Sequence, residues 1–118
     1  MVPARTMLET TLIKMEQKNN RELKQLYDAA GVGRLQLRER RDLRVALMAD
    51  AADSWMAENS DFQLSRGDSI KEAFDAGEGD TPILDFWRDL IESGKLNEFI
   101  KWLFEALPGL IAAIVAIF

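Results

Sequence analysis

The chain of 118 residues carries 20 acidic and 15 basic side chains, a net charge of −5, with 47% hydrophobic residues and neither cysteine nor histidine. That length and composition suit one folded domain rather than a disordered segment. The missing cysteines exclude disulfides and thiolate metal sites; the missing histidines remove the commonest general base, the commonest metal ligand and every Ser-His or Cys-His arrangement.

The charge is unevenly spread. Residues 1–44 hold ten basic and six acidic side chains, residues 45–94 three and twelve, and residues 95–118 two of each. Such asymmetry points to pairing between segments or to head-to-tail contact between copies. The opening MVPARTMLETT lacks the apolar core of a signal peptide, so the expected location is the cytoplasm or the inside of a particle.

A first helix is predicted from about Met7 to Ala30. A Thr6-x-x-Glu9 capping box opens it, and Leu8, Leu12, Met15, Leu23, Leu26 and Ala30 form its apolar stripe. Asn19 interrupts the stripe at a position that a coiled coil would bury, where Asn can fix register; we favour an exposed Asn19. Gly31 and Gly33 end this helix.

A second helix is predicted from Leu35 or Gln36 to about Glu58, with Leu47, Met48, Ala51, Ala52 and Trp55 on one face. Followed backwards, the same face carries Arg40, Arg41 and Arg44. These guanidinium groups are candidates for contacts with anions: acidic side chains of a partner, lipid headgroups or phosphates. The competing reading, which we favour, is that their stems cover the core while their heads reach water or internal carboxylates. No aromatic side chain interleaves the arginines and the chain is acidic, so nucleic acid is not an expected partner.

Asn59 to Gly67 reads as a linker, running into the tripeptide Arg66-Gly67-Asp68, which is too short to carry a binding assignment. Ser69-x-x-Glu72 is a second capping box and starts a short helix to about Ala76. Ala76 to Asp80 is a hinge, not a calcium loop, because Gly occupies positions where oxygen ligands are needed. Thr81 as N-cap and Pro82 in the first turn start a helix carrying Ile83, Leu84, Phe86, Trp87, Leu90 and Ile91, which Gly94 stops. No period-two alternation suggests a strand.

The last stretch, Lys95 to Phe118, has no charged or polar side chain from Ala106 onward. Leu96, Phe99, Ile100, Leu103, Leu107, Leu110, Ile114, Ile117 and Phe118 share one side of a helix that passes through Pro108. The opposite side begins with Lys95, Glu98, Lys101 and Glu105 and ends with Gly109, Ala112, Ala113 and Ala116, a smooth face that admits another helix closely. Burying the seven large apolar side chains from Leu107 to Phe118 is worth about 10–20 kcal/mol as an upper bound. This tail therefore belongs in the chain's own core, in a partner or in lipid. Its uncharged run of 13 residues spans about 20 Å as a helix, short against a bilayer core of about 30 Å.

The expected fold is all-α, with four to five helices: a helical region over 1–80 and a hydrophobic hairpin over 81–118. No catalytic or metal-binding set is visible and no cofactor is expected. The expected role is structural and non-enzymatic. The chain would join other copies of itself, or subunits of a larger assembly such as a virion or phage particle, the latter by analogy of profile only. The expected helix-packing interface is Leu107, Gly109, Leu110, Ala112, Ala113, Ile114, Ala116 and Phe118. The alternative is a small membrane-associated protein anchored by residues 95–118.

Overall fold

Six α-helices and one π-helical turn make up the computed structural model, which describes residues 2–31, 37–65 and 69–117 and has no strand among them. In chain order these are α1 (Ala4–Lys18), α2 (Asn20–Ala29), α3 (Leu37–Glu58), α4 (Ile70–Ala73), the π turn (Phe74–Glu78), α5 (Thr81–Ser93) and α6 (Leu96–Val115). The Arg66-Gly67-Asp68 tripeptide, Gly33, the predicted start of the second helix and Phe118 lie outside the described residues.

The first predicted helix is two helices, which raises the number from the expected four to five to six. Asn19 breaks it with φ −118° and ψ 32°, a conformation Asn tolerates because its short polar side chain competes with helical backbone bonding. The chain bends there without losing its backbone bonds. Asn19 N–H donates to the Met15 carbonyl at 2.9 Å, and Leu23 N–H donates to the Asn19 carbonyl at 2.8 Å. Asn19 is buried at 6% exposure, which corrects the expectation of an exposed side chain.

Two predicted caps also move. α1 starts at Ala4 with Pro3 as its N-cap, so Thr6 and Glu9 lie inside the helix and form no capping box. α5 is preceded by Asp80 as N-cap, and Thr81 is its first helical residue, followed by the buried Pro82. Gly94 does end α5, at φ +76°, a left-handed conformation that favours glycine. Its N–H donates to the Ile91 carbonyl at 3.3 Å and Lys95 N–H donates to the Leu90 carbonyl at 3.0 Å, the paired bonds of a Schellman turn.

α4 has only four residues and is held from outside. Ser69 Oγ accepts from Glu72 N–H at 3.3 Å. The Asp53 carboxylate of α3 accepts from the Ser69 hydroxyl at 2.7 Å, Ile70 N–H at 2.9 Å and Lys71 N–H at 3.0 Å. An anion from a neighbouring helix thus satisfies donors that a helix start leaves open.

One buried cluster draws on all six helices. α1 lies against α5, α2 against α6, and α3 touches α4, α5 and α6. The predicted α3 face of Leu47, Met48, Ala51, Ala52 and Trp55 is buried throughout. At the centre, Trp55 meets Phe62, Phe86 and Phe99 edge-on at 5.1, 6.1 and 5.5 Å, the arrangement that ring quadrupoles favour. The indole N–H of Trp87 is buried with no acceptor among the described residues.

Candidate interaction interface

α6 is a single helix through Pro108, and its buried line follows the predicted stripe as far as Leu107, then leaves it for Ile111. Phe99, Leu103, Leu107 and Ile111 are fully buried, each four residues from the last. Rows of i, i+4 residues run obliquely to a helix axis, so a helix packed along such a ridge turns its buried side steadily round. By the last turns the line has rotated past the side on which Ile117 stands. Leu110 and Ile114 are half-buried, and Ile117 is 84% exposed.

The small residues Gly109, Ala112, Ala113 and Ala116 are exposed. A Cβ placed on Gly109 meets nothing within 4 Å. Among the described residues no helix covers this face. Leu107, grouped with it on sequence grounds, is committed to the chain's own core.

Where α6 turns away, a groove of about 290 Å³ opens against α3 and α4. Leu110, Ala113, Ile114 and Ile117 form one wall; Asp50, Asp53, Ser54 and Lys71 form the other. Lys71 pairs with Asp50 at 3.1 Å. That hydrogen bond, with further attraction from Asp75 and Asp53, holds its ammonium above the ordinary range. With Asp50 and Asp53 against one ammonium, the polar wall is net acidic. The front of α6, by contrast, is tied down: Trp102 Nε1 donates to Glu58 at 2.9 Å and Lys95 Nζ to Asp61 at 2.9 Å.

The arginines of α3 turn inward. Arg41 donates to Glu9 of α1, and at 2.9 Å to Asp80 ahead of α5. Arg44 donates to Glu16 at 2.7 Å and to the Tyr27 hydroxyl at 3.3 Å. Arg40 lies 5.3 Å over the Tyr27 ring, a cation–π contact. Tyr27 itself donates to Glu16 at 2.6 Å; burial, then this hydrogen bond, pushes its phenol up to about 12. The carboxylates that Arg41 and Arg44 meet are thus the chain's own. Glu9 and Glu16, two turns apart on α1, are the sequence signal that locates them.

A second depression, about 320 Å³, lies among Val2, Pro3, Ala4, Arg5, Arg88, Ile91 and Glu92. Its cations have nearby carboxylates, Asp80 at 3.8 Å from Arg5 and Asp85 at 3.3 Å from Arg88. Among the described residues no group of three or more acidic side chains converges to hold a metal ion, and no helix is long and apolar enough to cross a membrane. Sequence reasoning located the apolar tail but missed the groove, because Asp50 and Asp53 meet it only through the tertiary path of α3. Comparison with protein-family models, with curated proteins and with solved structures finds nothing that matches this chain.

Proposed function

We propose that this chain is a non-enzymatic assembly protein whose C-terminal helix divides its work. The front of α6 completes the chain's own core. Its last turns present apolar surface to other copies of the chain, or to subunits of a larger assembly. The observation that carries this reading is the exposure of Ile117, 84%, beside the uncovered Gly109, Ala112, Ala113 and Ala116. Contiguous apolar surface of this kind marks interaction sites on folded proteins. Anchoring by residues 95–118 as a unit is the less supported reading, since Phe99, Leu103, Leu107 and Ile111 would have to leave the core.

Light scattering across a concentration series tests the proposal. The wild-type chain is expected to self-associate reversibly, and Ile117→Glu to be monomeric with an unchanged melting temperature. A wild-type chain that stays monomeric at the highest attainable concentration overturns self-association.

A further inference from the structure

Beyond the tail, one other feature of the described surface calls for a partner. Val2, Ile13 and Ile117 are its exposed large hydrophobic side chains. Ile13 stands 56% exposed in the middle of α1. The acidic residues one turn either side of it are already paired, Glu9 with an Arg41 that it shares with Asp80 and Glu16 with Arg44, and Arg5 stands near the same Asp80, so Lys14 carries the uncompensated charge beside Ile13. Lys14, exposed beside Ile13, has no carboxylate partner among the described residues, and Lys18 reaches over the Phe104 ring at 5.1 Å. On α2, Arg21 and Lys24 are exposed as well, with the half-buried Glu22 between them.

The groove between α3 and the end of α6 has the complementary character. Ala113, Ile114 and Ile117 supply an apolar wall; on the facing wall Lys71 pairs with Asp50, which leaves the Asp53 carboxylate as its uncompensated charge. Both surfaces are exposed in the single chain, so neither covers the other.

We infer that the α3/α6 groove receives the Ile13 face of α1 from a second copy, Ile13 entering beside Ala113 and Ile117 and Lys14 facing Asp53. This rests on the self-association proposed above and assigns its geometry. The contact joins two different patches, so it is heterologous and each pair leaves one groove and one Ile13 face free to extend the array or close a ring. A tail-to-tail dimer would instead bring together two walls that each carry an uncompensated Asp53, with no basic partner for either.

Complementation between two surface variants separates these outcomes. The double variant Ile13→Glu/Lys14→Glu removes the inserted face, and Ala113→Glu blocks the groove; both sites are exposed, and circular dichroism confirms that each variant folds. Each alone is expected to weaken self-association by at least about tenfold. Mixed in equal amounts, they are expected to form a 1:1 dimer and nothing larger, since one intact groove and one intact Ile13 face remain. Raising NaCl from about 0.05 M to about 0.5 M should weaken that dimer. If the Ile13/Lys14 variant associates like the wild type while Ala113→Glu does not, the tail still mediates association but the Ile13 assignment is overturned. If both are monomeric and the mixture stays monomeric, the head-to-tail pairing is likewise overturned.

Discussion

The two halves of α6 invert the usual relation between composition and burial. The front half carries Lys101 and Glu105 among its apolar residues, yet Phe99, Leu103 and Leu107 are fully buried there. The back half has no polar side chain and leaves Gly109, Ala112 and Ala113 exposed, as the turn after it leaves Ala116 and Ile117. Hydrophobicity makes burial favourable, but the crossing geometry decides which residues receive it. Ile111 is buried and Ile117 is not, because a ridge of i, i+4 residues rotates away from any fixed side of the helix.

The largest expected effect lies in the front half. Phe99→Ala should lower stability by about 3–5 kcal/mol, measured by urea unfolding, because Phe99 contacts Trp55, Phe86 and Trp87 within 6 Å. A loss as small as that of an exposed residue would erase the contrast between the halves. A middle-sized effect is expected at the groove wall. Asp53→Ala removes the carboxylate that accepts three donors at the start of α4, and should cost about 1–2 kcal/mol, read in the same experiment. Amide exchange at Ile70 and Lys71 should quicken with it.

Substitution on the open face should scarcely register in the folded chain. Ala113→Leu meets solvent, so its stability change should stay within about 0.5 kcal/mol, while its extra bulk in the groove shifts the light-scattering mass toward monomer. Ile114→Leu conserves volume and should leave that mass unchanged. A fall in stability on Ala113→Leu would show that a helix of the same chain covers this face.

The last effect appears only at high pH, on α2, the helix packed against α6. The folded value of the Tyr27 phenol lies above its ordinary 10.0, at about 12. Folding therefore favours the protonated form. That contribution is complete below pH 10.0 and declines as pH rises from there to about 12. Phenolate absorbance of the native chain should titrate near the upper value, and Tyr27→Phe should make the decline shallower, the raised lysines Lys71 and Lys95 keeping their share of it.

Much of the helical framework was legible because its signals are local. Gly94 needed only the left-handed turn that follows α5, and the Trp55 face needed only a three-four spacing, so both stand where periodicity places them. The predicted caps at Thr6 and Thr81 failed because a capping sequence does not fix the first helical residue when Pro3 or Asp80 is available just before it. Asn19 was misjudged because its burial depends on α1 and α2 folding to one side, which no local pattern encodes. The apolar tail was legible as a problem but not as a shape. Which of its residues face the groove follows from the angle at which α6 meets α3.

Phe99 touches all three indoles of the chain, Trp55 at 5.5 Å, Trp87 at 5.8 Å and Trp102 at 6.1 Å. The intrinsic fluorescence of this protein is therefore the signal of a single locus, the front of α6. No tryptophan lines the groove. Emission should shift sharply when the core opens and stay flat when copies associate through the back of the helix. Two optical channels, emission and scattering, thus divide along the same boundary as the helix itself.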